Sequence, residues 1–331
     1  MRGHGAGTGQ RAHRKHESQT AHLRSVDPPT GPYAQNRKVQ ALLRAGHTPS
    51  RGAYRESVRR GVEFLLRHVE NSPEEGLAVT SIRDTQIQRK LGPYIDTFLS
   101  AMVLAELDGN MGDARSNDWV RRALQKCVTK IERNQQKDGS WNIAGGWAPI
   151  LGTSMASRSL YVAQGKGVRV EPAAIARVDE YTRQRGVKPG AAGGAVVADS
   201  AAAGVPLYQG AQALEQLTRT SADRAKNARE IQAITSELSR PDFVRGFGSM
   251  GGEEFFSYLN ISDSLHRTGG EEWQKWNRQI KSQLGKLQNE DGTWAGHHCI
   301  TGRVAVTSAA ILTMLVERDP VVVPATRHSR N

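Results

Sequence analysis

The chain has 331 residues, enough for one large domain or two ordinary ones and for a substantial buried core. It is 37% hydrophobic and 24% charged, with no run of 18 or more apolar residues and only two cysteines, which argues against a membrane span, a disulfide framework and a wholly disordered chain. The formal charge is +12, but residues 1–50 hold eight Lys/Arg against two Asp/Glu and the remainder is only mildly basic, which argues against nucleic acid as the main partner.

Residues 1–50 are rich in Gly, His, Arg, Ser and Pro and poor in bulky apolar residues. Such a stretch buries too little surface to offset its ordering entropy, so a disordered basic tail is expected, with room for one short helix at Asn36–Ala45. The opening MRGHGAGTGQRAHRKH has no apolar stretch of the secretory kind, and a cytoplasmic location is the expectation. A short tail, 319–331, is expected after the last helix.

Between the tails the pattern is helical and repetitive. Arg55–Val69 carries Val58, Val62, Leu65, Leu66 and Val69 at the spacing of one helix face. Tyr94–Leu107 is more apolar and contains small residues, as a nearly buried helix would. The pairing recurs at Asn117–Gln136 with Thr153–Ala163, Pro172–Arg185 with Leu207–Leu217, Ala222–Leu238 with Glu253–Leu265, and Glu271–Leu287 with Val304–Val316. Five hairpins at about fifty residues each predict an all-α array over 51–318. A helix apolar all round must be hidden from water. The expected solution is an α/α toroid, with the apolar helices as an inner ring and the amphipathic ones outside.

Two turns share one spacing: Gln135-Gln-Lys-Asp-Gly139-Ser-Trp141 and Gln288-Asn-Glu-Asp-Gly292-Thr-Trp294, 153 residues apart. The glycine suits a positive φ at a helix end, Asp-Gly is turn chemistry, and the tryptophan can pack back on the helix. These repeats resemble those of the squalene–hopene cyclases and the protein prenyltransferase β subunits, within the terpenoid cyclase-like superfamily. They also resemble those of stand-alone bacterial prenyltransferase/squalene-oxidase-repeat proteins. The resemblance implies inner and outer helix rings around a central cavity.

The chemistry of those families does not carry over. The resemblance implies an Asp-x-Asp-Asp acid in cyclases, and this chain has only the isolated Asp96 and Asp263. It implies an Asp-x-Cys and a distant His as zinc ligands in prenyltransferases, and the matching stretch here is Arg303-Val304-Ala305. What remains is a cluster before the last inner helix, His297, His298, Cys299 and Arg303, with Glu253 and Glu254 opening another. Tyr94, Trp147, Ser154, Tyr208, Gln209 and Tyr258 fall at comparable places. The cluster has three readings: a thiolate nucleophile beside an imidazole, a zinc site, or a buried cysteine with histidines serving loop carbonyls. Two functions follow. One is a binding or scaffold module for a hydrophobic small molecule or a protein partner. The other is a divergent cyclase- or prenyltransferase-like enzyme using the His-His-Cys/Glu cluster at the cavity mouth.

Overall fold

The computed structural model describes residues 31–141, 149–185, 205–244, 251–298 and 300–318. Every regular element among them is helical. The stretches 1–30 and 319–331, the Gly-rich Ala191–Gly194, Arg245–Gly248, Trp147 and Cys299 lie outside the described residues, as do the side chains of Tyr208 and Gln209.

The helices are α1 (Pro32–Arg44), α2 (Arg55–Glu70), α3 (Gln86–Leu91), α4 (Ile95–Leu107), α5 (Ala114–Arg133), α6 (Pro149–Gly165) and α7 (Pro172–Arg185). There follow α8 (Val205–Leu217), α9 (Ser221–Lys226), α10 (Ala228–Glu237), α11 (Pro241–Val244), α12 (Gly252–Thr268), α13 (Gly270–Leu287) and α14 (Arg303–Met314), with a last 3-10 turn at Val316–Arg318. Starts follow local chemistry. Asp113 accepts a hydrogen bond from Ser116 N, Thr85 forms a capping box with Gln88, and Pro32 sits at the first turn of α1.

The two expected helix types are both present. In α2 the buried residues are Val58, Gly61, Val62, Leu65, Leu66 and Val69, one face only. In α4 every residue but Glu106 is buried. In α12 burial runs from Gly252 to Leu265 with Asn260 as the single exception. Contacts among the well-buried helices pass from α1 to α4, α6, α8, α12 and α14, and α14 returns to α1. Each of α2, α5, α7, α10 and α13 packs against a member of this circuit.

The packed part begins earlier than the sequence pattern indicates. Helix α1 starts at Pro32, inside the stretch expected as tail, and extends beyond the expected Asn36–Ala45 at its N-terminal side. It makes the link between α4 and α14 that closes the circuit. Its buried face interleaves polar residues with small and apolar ones: Asn36 is fully buried and donates to Ser100 Oγ at 2.9 Å, and Arg37 donates to Gln40 Oε1 at 2.9 Å. Gln40 in turn donates to Glu106. Apolar periodicity is blind to a helix buried in this way.

The two repeated turns match bond for bond. Gly139 and Gly292 take φ of 90° and 78°. Gln135 Nε2 donates to Gly139 O at 3.0 Å, and Gln288 Nε2 to Gly292 O at 2.9 Å. Both tryptophans are buried and reach back to the preceding helix, Trp141 Nε1 to Ile131 O at 2.7 Å and Trp294 Nε1 to Leu284 O at 2.8 Å. Their backbone N–H groups donate to Thr153 and Thr307 hydroxyls at 3.1 and 3.0 Å. The motif thus ties the end of one helix to the next helix of the circuit.

Candidate functional site

The circuit has two ends, and they differ. At the N-terminal end, Asp96 in the first turn of α4 accepts from Tyr33 N of α1 at 2.6 Å and from Gln88 Nε2 at 2.7 Å. The aspartate read as isolated therefore holds the start of α1. Burial pushes its carboxyl pKa up, with the bonds from Gln88 and Tyr33 opposing. The backbone is tightly packed at α12. A Cβ at Gly252 would fall 2.1 Å from Ile300 O, and one at Gly296 would fall equally close to the same atom.

The sequence-derived cluster sits beside that contact. Glu253 and Glu254 are buried at the start of α12. A Cβ at Gly251 would meet Glu253 Oε2 and His298 Cε1 at 2.7 Å and Glu254 Oε2 at 2.9 Å, so these three side chains converge. Glu253 Oε2 accepts from Ile300 N at 3.3 Å, while Glu253 Oε1 has no hydrogen-bond partner among the described residues. His297 is exposed and His298 half-buried. Arg303 is engaged by Asp291 and Thr293, so it belongs to the second Gly-x-Trp turn. Among the described residues no three His, Cys, Asp or Glu side chains are grouped to hold a metal ion.

A further cysteine and several aromatic residues serve packing. Cys127 is fully buried, and desolvation pushes its thiol up to about 12. Trp273 and Trp276 are both buried, with Trp276 Nε1 donating to Ser262 Oγ at 2.9 Å. Tyr258 is buried and donates to Val244 O at 2.9 Å.

The C-terminal end of the circuit is where space opens. A cavity of about 560 Å³ lies among the last turns of α1, α4, α6, α8 and α12 and the Val316–Arg318 turn. None of Glu253, Glu254, His297 or His298 lines it. Its apolar wall is Leu43, Met102, Val162 and the ring of Tyr161. Its floor is an ion network from four helices. Asp263 of α12 is bound by Arg44 of α1 at 3.1 Å and by Arg158 of α6 at 2.8 Å. Arg158 also reaches Glu215 of α8 at 3.1 Å, and Arg267 reaches the same carboxylate at 3.2 Å. Burial raises the Asp263 pKa, but the charges of Arg44, Arg158 and Arg267 outweigh it and hold the carboxyl well below its ordinary range. Arg219 pairs with Asp179 at 2.7 Å and lies 4.5 Å from the Tyr161 ring centroid.

Local sequence spacing does not reveal this network, because its members are far apart, Arg44 and Asp263 by 219 residues. One signal was present. Arg158, Glu215 and Asp263 are each a charge set among apolar and small residues on a well-buried helix, and such a charge requires a partner.

No family model matches this chain, and neither a curated protein nor a solved structure does. The likeness to cyclase and prenyltransferase repeats rests on the two turns and the helix pattern. No described helix is long and apolar enough to cross a membrane.

Proposed function

We propose that the chain is a binding module built as an α/α toroid, which holds a small hydrophobic or amphipathic ligand at one mouth of its inner ring. The circuit of α1, α4, α6, α8, α12 and α14 supports the toroid reading, because each contacts two others and each outer helix packs on one of them. The single observation that carries the binding reading is the 560 Å³ cavity at the C-terminal ends, part apolar wall and part fixed ions. Its size is ordinary for a small-molecule site, and convergent polar groups over an apolar lining are the usual composition. The ion network supplies preorganisation, since four helices must be in register for its bonds to form.

Uptake of the neutral dye Nile red, followed by fluorescence, tests the reading. Wild type takes up dye, and Val162→Trp, which narrows the cavity from its wall, loses most of the uptake with helix content unchanged by circular dichroism. Equal uptake by both proteins would place the dye elsewhere and remove the support.

A second reading, a cyclase- or prenyltransferase-like enzyme, is favoured by one observation: the buried Glu253 with its unpartnered Oε1 beside His298. On that reading zinc would be held by His297, His298 and Cys299 with a glutamate. Elemental analysis of wild type beside Cys299→Ala decides it. About one zinc per wild-type chain, lost in the variant, supports the enzyme reading; no metal in either protein removes zinc from it.

A further inference from the structure

The cavity is lined by six basic side chains against three carboxylates. Part of this imbalance has a structural cause. The circuit helices point their C-terminal ends here, and cations are favourable at such ends; Arg44 donates to Leu312 O at 3.1 Å in this role. Arg44, Arg158, Arg267 and Arg219 are also held by Asp263, Glu215 and Asp179.

Lys166 and Arg318 differ from these four. Both line the cavity and both are exposed, Lys166 just past α6 and Arg318 just past α14. Among the described residues neither has an ion-pair partner; the Arg318 guanidinium donates to Ala45 O at 3.4 Å. Two cations without an ion-pair partner among the described residues thus line a cavity whose apolar wall is Leu43, Met102, Val162 and the Tyr161 ring.

We infer that the ligand is an amphipathic organic anion, with an apolar or aromatic body against Met102, Val162 and Tyr161 and a carboxylate or phosphate held in the field of Lys166 and Arg318. The inference rests on the binding reading above and names its ligand class. A positive rim around a low-dielectric cleft concentrates anions and discriminates against cations. The carboxylate and phosphate forms share this chemistry and are separated by the test.

The test is calorimetric titration of the full chain with octanoate, octyl phosphate, octanol and octyltrimethylammonium, which share one chain and differ in head group. At least one anion is expected to bind about tenfold or more tightly than octanol and the cation. Whichever anion binds more tightly names the head group. The preference should collapse in Lys166→Glu/Arg318→Glu, whose sites are exposed and tolerate substitution. Octanol or the cation binding as tightly as both anions, or a preference that survives the double charge reversal, would overturn the anion inference and leave the binding reading intact. No binding by any of the four, together with no Nile red uptake, would overturn both.

Discussion

The two ends of the helix circuit solve opposite electrostatic problems, and among the described residues a cavity lies at the C-terminal one. At the N-terminal end, carboxylates face helix starts: Asp96 accepts from the first turn of α1, and Glu253 and Glu254 open α12. Acids there complement the positive pole of the helix dipole, and glycine lets the backbone close over them. At the C-terminal end, arginines face the last carbonyls. Guanidinium groups are long and planar, and each can serve several partners, so one shared network ties four helices together. At the N-terminal end the backbone packs closely where Gly252 and Gly296 meet Ile300 O; at the C-terminal end side chains bridge the helices, and a cavity lies beside the bridges.

The sharpest way to break this contrast is to cut the bridge. Asp263→Ala leaves Arg44 and Arg158 without their common carboxylate, with side chains only 5% and 16% exposed. Removing one partner of a buried pair costs about 3–5 kcal/mol, so denaturant unfolding should show a loss of that order. A loss under about 1 kcal/mol would mean that water already screens the network, as at a surface pair. The N-terminal end should respond to volume instead. Gly252→Ala forces a methyl to 2.1 Å from Ile300 O, and overpacking costs about 1–3 kcal/mol. Gly252→Ala should not be matched by Gly285→Ala, on helix α13, where nothing lies within 4 Å of the added methyl.

The same division explains what the sequence makes legible. Apolar helices such as Ile95–Leu107 and the Gly-x-Trp turns stand out, because burial and turn geometry act over a few neighbouring residues. Helix α1 does not, because the polar Asn36, Arg37 and Gln40 interrupt its buried face, and Ser100 and Glu106, which pair with Asn36 and Gln40, lie more than sixty residues on. The convergence of Glu253, Glu254 and His298 is visible as residues near two successive helix starts. The cavity is not, since its floor joins Arg44, Arg158, Glu215 and Asp263 from four separate helices. Pairing of single charges on apolar helices is a property of the closed fold, and local pattern carries only the hint that each charge needs a partner.

The smallest expected effect is also the most direct reading of the two ends, because their aspartates are shifted in opposite directions. Asp263 is depressed in the folded state, so its contribution is present above the ordinary carboxylate range and is lost as pH falls toward its folded value. Asp96 is raised, so its contribution is present below that range and is lost as pH rises through its folded value. On acidification from pH 7 toward pH 3, Asp96 therefore partly offsets the loss caused by Asp263. Asp96→Asn removes the offset and should steepen the acid destabilisation, whereas Asp263→Asn should flatten it at the expense of stability near neutral pH. Unfolding free energies measured for the two variants between pH 3 and pH 7 should diverge in slope, by up to about 1.4 kcal/mol for each unit by which a folded pKa is displaced. Parallel slopes would mean that the two carboxylates feel the same environment and that the contrast between the ends is steric alone.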